Sequence, residues 1–74
     1  MKNREVAELF EKVANMLAIR GDSIHRILAY RRAAESISEL GRDLNQVYAA
    51  GDLTDLPGIG QTLADKIEEM LTTG

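Results

Sequence analysis

From Asn3 to Arg20 the apolar residues Val6, Leu9, Phe10, Val13, Met16 and Leu17 recur at steps of three and four, the spacing that lines one stripe of an α-helix. Glu8 and Lys12 stand on the other face as an i, i+4 pair. Gly21 stops this helix, since a residue without Cβ takes the left-handed conformation at a helix end. Asp22 and Ser23 are good N-caps for a second helix over residues 23–39, which places Ile24, Ile27, Leu28, Ala34 and Ile37 on one face and Arg31, Arg32 and Glu35 on the exposed side. Gly41 ends it. Asp43 with Gln46 three residues on has the pattern of a capping box, and predicts a short helix over 43–50 that buries Leu44, Val47 and Tyr48 before Gly51. A last helix over 61–72 carries Leu63, Ile67, Met70 and Leu71 on one face. No stretch alternates at period two, so strands are not expected, and neither an internal repeat nor a low-complexity segment interrupts the pattern. The expectation is one all-α domain over residues 1–74, a compact bundle of four helices. The ending Thr72-Thr73-Gly74, directly after the last helix, suggests a domain excised from a longer chain.

The least regular segment runs from Asp52 to Gly60 and contains Leu56-Pro57-Gly58-Ile59-Gly60. Pro57 forbids a continuous helix, and two glycines at a spacing of two allow a tight turn that delivers the chain into a helix N-terminus. There the amides of Gly58, Gly60 and the first helical turn lack intrahelical acceptors and lie at the positive end of the helix dipole, which makes a phosphate site. Ile59 is expected to face inward and Leu56 to close the hairpin from the other side. A plain helix-turn-helix connection, with glycines that only satisfy backbone geometry, is the alternative.

Composition narrows the classes. The absence of cysteine among 74 residues excludes disulfides, thiolate metal sites and a cysteine nucleophile. Only Phe10, Tyr30 and Tyr48 are aromatic, too few for a stacking platform for single strands. No apolar run approaches the roughly 20 residues needed to cross a membrane, and no signal-type stretch follows Met1, so the expected location is the cytoplasm. The formal net charge of −3 argues against a nucleic-acid partner, but its distribution is uneven. Residues 1–20 and 21–42 each carry +1, and residues 43–74, with Lys66 against six acids, carry −5.

The run Leu56-Pro57-Gly58-Ile59-Gly60, followed by Leu63-Ala64 and Ile67, resembles the helix-hairpin-helix motif, in which two short helices and their hairpin grip a DNA backbone without reading its sequence. That resemblance implies that the amides bind phosphate oxygens and that the backbone carbonyls of Thr54, Leu56 and Ile59 hold a monovalent cation, Na+ or K+. Backbone dipoles and one cation then supply the positive field, so an acidic chain is not excluded. His25-Arg26, Ala29-Tyr30-Arg31-Arg32-Ala33-Ala34, the hairpin about two dozen residues later and Lys66 together resemble the N-terminal domain of family X DNA polymerases, the DNA polymerase beta group, over nearly the whole chain.

By that resemblance the domain binds gapped or nicked double-stranded DNA at the downstream 5′-phosphate in base excision repair or gap filling, as a monomer in the bacterial nucleoid. The parent is a nucleotidyltransferase; no segment here offers the paired carboxylates that hold two metal ions. Lys66 stands at the family's Schiff-base lysine, so 5′-deoxyribose-phosphate lyase chemistry is an alternative activity. His25, Arg26 and Tyr30 occupy positions around the phosphate, with Arg31 or Arg32 reaching the backbone. Thr62, one turn before Lys66, replaces a phosphate-binding lysine of the family, and Thr54 replaces another basic position. Asp65, Glu68 and Glu69 near Lys66 favour its protonated form, which weighs against the lyase. A helical protein-interaction domain, with the acidic last helix as contact face, is a third reading.

Overall fold

The computed structural model describes residues 1–73 as helices α1 (Asn3–Ile19), α2 (Ile24–Ser38), α3 (Leu44–Ala49) and α4 (Gln61–Thr73), with one turn of 3-10 helix (Leu53–Asp55) before the hairpin. Gly74, the end of the expected domain, lies outside the described residues. The all-α architecture of four helices is thus present, and the described residues contain no strand.

Local chemistry explains each end. The α1 N-terminus is held by Glu5, whose carboxylate accepts the Lys2 amide at 2.8 Å. At its C-terminus Gly21 (φ +72°) and Asp22 donate to the carbonyls of Ala18 and Leu17, the paired bonds of a Schellman cap. The same two bonds close α3, from Gly51 to Tyr48 and from Asp52 to Val47. Ser23 caps α2 by accepting the His25 amide at 3.2 Å. Asp43 caps α3 by accepting the Asn45 amide at 2.9 Å, and the second acceptance, also at 2.9 Å, is from the Asn45 side chain. No reciprocal bond comes from Gln46, so the cap is Asp43 alone and the box is not formed. The second helix ends at Ser38 with Glu39 as C-cap, close to the expected 39, and Leu40 N–H turns back to Ile37 O at 3.2 Å before Gly41 is reached.

Packing builds two clusters. The larger takes Val6, Ala7 and Phe10 from α1, Ala33, Ala34 and Ile37 from α2, Leu44 and Val47 from α3, and Leu63, Ala64 and Ile67 from α4. Leu53, Leu56 and Ile59 complete it from the connecting segment. The smaller, Ala14, Leu17 and Ile27, lies between the C-terminal half of α1 and the N-terminal half of α2. Tyr30 borders both, its ring edge-on to Phe10 at 5.4 Å and 85°. Alanines at 14, 33 and 34 let the helix backbones approach closely. The apolar stripes extend past this core: Met16, Ile24 and Leu28 are exposed, against expectation, as is Ile19. They lie toward the Gly21 turn, beside the smaller cluster, whose buried residues come from α1 and α2 alone. Tyr48 is half-buried.

The N-terminus is fastened to α3 by a clamp that no local pattern announces. Asn3 donates through Nδ2 to the Arg42 carbonyl at 2.7 Å and accepts the Leu44 amide through Oδ1 at 2.9 Å. Asn45 Nδ2 adds a bond to the Met1 carbonyl at 3.1 Å. On α1, Glu8 pairs with Arg4 at 3.7 Å and not with Lys12. No described helix is long and apolar enough to cross a membrane.

Candidate functional site

Leu56, Pro57, Gly58 and Ile59 form a β-turn closed by the Ile59 amide donating to the Leu56 carbonyl at 3.1 Å. Proline at the second position and a glycine with φ +76° at the third give it type II geometry. Leu56 and Ile59 are buried on either side of the turn, while Pro57, Gly58 and Gly60 are exposed. Two apolar side chains therefore pin the turn to the core and leave its apex in water.

Gly60 then starts α4, its carbonyl accepting the Ala64 amide at 2.9 Å. Among the described residues, the amides of Gly58, Gly60, Gln61 and Thr62 have no backbone or side-chain acceptor. All four residues are exposed. Four free donors, interrupted only by the bonded Ile59 amide, thus stand at the positive end of a 13-residue helix without a large side chain at Gly58 or Gly60, a set of groups chemically suited to an anion.

The remaining candidate residues are dispersed over α2, α4 and the segment before the turn. On α4, Lys66 is exposed one turn beyond Thr62, with no carboxylate of the described residues within ion-pair distance. The nearest acid in sequence, Asp65, accepts instead from Gln61 Nε2 at 2.8 Å. On α2, His25 is exposed in the first turn, and Arg26 pairs with Asp22 at 3.1 Å. Arg31 turns toward α1, to Glu11 at 3.3 Å and Asn15 at 3.2 Å. Tyr30 is engaged in the core through its ring. Thr54 is exposed and borders a groove shared with Gln61, Asp65, Glu68 and Tyr48. There the Glu68 carboxylate, first as hydrogen-bond acceptor and second through its charge, holds the Tyr48 hydroxyl above its ordinary pKa.

The α2 side chain that meets the hairpin is Arg32. A Cβ built on Gly58 would stand 3.1 Å from Arg32 Cγ and 3.3 Å from Cδ, so the arginine stem lies across the bare face of the glycine. Sequence alone gives Arg31 and Arg32 the same exposed side of α2. The distinguishing signal is the seven-residue spacing from His25 to Arg32, which returns to one helix face, whereas Arg31 is rotated from Arg32 by about 100°.

This pinned, glycine-lined turn between α3 and α4 is a helix-hairpin-helix, and the chain belongs to the helix-hairpin-helix domain family, whose model matches residues 1–74. Among its relatives, DNA polymerase lambda of Arabidopsis thaliana is 33% identical over 72 residues, 97% of this chain and 13% of that protein. The DNA polymerase/3′-5′ exonuclease PolX of Bacillus subtilis (strain 168) is 27% identical over 74 residues, 100% of this chain and 12% of that protein. Both are family X polymerases, so the resemblance drawn from the α2 motif and the hairpin holds. The chain spans about an eighth of the length of these curated relatives.

Proposed function

We propose that this domain binds the sugar-phosphate backbone of duplex DNA, docking as a monomer on the downstream 5′-phosphate of a gap or nick, within a cytoplasmic repair or gap-filling polymerase of family X. The observation that carries this reading is the set of four unpaired amides, on the exposed residues Gly58, Gly60, Gln61 and Thr62, in a domain whose relatives are DNA polymerases. Such a contact uses backbone donors and so tolerates a net charge of −3. A monovalent cation, Na+ or K+, belongs to the reading. The carbonyls of Thr54 and Ile59 accept no hydrogen bond among the described residues, and that of Leu56 accepts one and keeps a second lone pair. Uncharged carbonyl oxygens suit such an ion, whose charge would add to the field felt by a phosphate.

Titration of the isotope-labelled domain with a gapped duplex tests the reading. Amide shifts are expected at Gly58, Gly60 and Thr62, with weaker binding when the 5′-phosphate is removed. Unmoved hairpin amides at low salt would sink it and leave the protein-interaction reading, through the acidic α4, in its place.

A second activity, 5′-deoxyribose-phosphate lyase chemistry at Lys66, is favoured by one observation: among the described residues no carboxylate pairs with the Lys66 ammonium. In that reaction the neutral amine attacks the sugar aldehyde, water leaves as the Schiff base forms, and β-elimination releases the phosphate end. Borohydride should trap a covalent adduct on an incised abasic duplex with the native domain and none with Lys66→Ala. Absence of an adduct from the native domain at saturating DNA removes the lyase.

A further inference from the structure

We infer that Arg32 is the side-chain cation of the hairpin, contacting the same DNA backbone as the Gly58 and Gly60 amides and directing that backbone along α2 toward His25. This inference rests on the proposed DNA binding and assigns to Arg32 a contact that the seemingly equivalent Arg31 does not make.

Three observations carry it. First, the Arg32 stem is laid over Gly58, with Cγ and Cδ 3.1 and 3.3 Å from where a Cβ would be, which brings the base of the guanidinium arm to the edge of the amide cradle. Second, Arg32 is exposed and makes no ion pair or side-chain hydrogen bond among the described residues, while the other two arginines of α2 are engaged, Arg26 by Asp22 and Arg31 by Glu11. A planar guanidinium with a packed stem and no carboxylate to release is suited to a phosphate oxygen pair. Third, the charges around it are asymmetric. Toward the C-terminus of α2, Glu35 and Glu39 line the groove that Arg32 shares with Pro57. Toward the N-terminus the same helix face leads to the exposed His25, seven residues or about 10 Å away. A polyanion leaving the hairpin is repelled by the first direction and admitted by the second.

The test is the salt dependence of affinity for a gapped, 5′-phosphorylated duplex, measured for the native domain, Arg32→Met, Arg32→Lys and Arg31→Met. Methionine retains an apolar stem over Gly58 and removes only the charge; thermal melts verify that each variant folds. The slope of log K against log salt should fall by about 0.9 in Arg32→Met, the loss of one phosphate contact on B-DNA. It should be retained in Arg32→Lys and in Arg31→Met. A folded Arg32→Met with the native slope overturns the inference and leaves the DNA-binding reading intact, as does a loss confined to Arg31→Met. Failure of the native domain to bind at all overturns both.

Discussion

Among the described residues three glycines share the left-handed backbone, with φ between +72° and +76°, yet they are not equivalent. Around Gly21 a Cβ would meet nothing within 4 Å, whereas at Gly58 it would press on the Arg32 stem. Alanine at either position should cost about 1–2 kcal/mol from the left-handed backbone alone. Gly58→Ala should in addition displace Arg32 and lower affinity for gapped DNA, while Gly21→Ala should bind as the native domain does. Urea melts and DNA titrations on the pair measure the two effects, and equal affinities would show that the Arg32 contact is unimportant. At this scale the sequence is informative where a residue's role is set by its own backbone. The left-handed Gly58 follows from its place after Pro57, but the division of labour between Arg31 and Arg32 depends on which neighbours α1 and the hairpin bring.

Among the elements, α3 has six residues and depends on its ends. The Asp43 carboxyl is held below its ordinary pKa, first by accepting the Asn45 amide and second by accepting the Asn45 side chain. Its folded value lies under the unfolded value of about 4. The stabilisation is therefore fully present above pH 4 and is lost as pH falls through the folded value. Hydrogen exchange at the Asn45 amide should accelerate, beyond its intrinsic pH dependence, as acid protonates this cap. Asp43→Asn retains an acceptor that does not titrate and should lack that acceleration; an identical acid response in both would assign the effect to another carboxylate. Caps of this kind, Ser23 and Asp43, are legible because donor and acceptor lie two residues apart. The expected box at Asp43 and Gln46 is not formed, and the chain between α2 and α3 is held instead by the Asn3 clamp and the Leu40 turn. That clamp spans 39 and 41 residues, beyond the reach of any periodicity.

For the whole molecule, the stripes forecast which helix faces turn inward but not how far the core extends. The domain measures 36 × 22 × 20 Å, and the smaller cluster draws its buried residues from α1 and α2 alone. Met16 and Leu28 keep helical register there and still meet solvent, so the pattern is right in phase and wrong in depth. The charge distribution is legible in the same partial way. Its division into mildly basic early helices and an acidic end is visible in the sequence, but the local partners are not: Asp65 accepts from the Gln61 side chain at 2.8 Å, and Glu68 raises the pKa of the Tyr48 hydroxyl. Surface connections ordinarily accept insertions and deletions, since nothing beneath them is disturbed. The segment from Leu56 to Ile59 lacks that freedom, because both of its ends are core residues and its closing bond fixes the count between them. One residue added or removed would lift Ile59 from the interior or turn the amides aside, so this loop should be as constant in length as a helix.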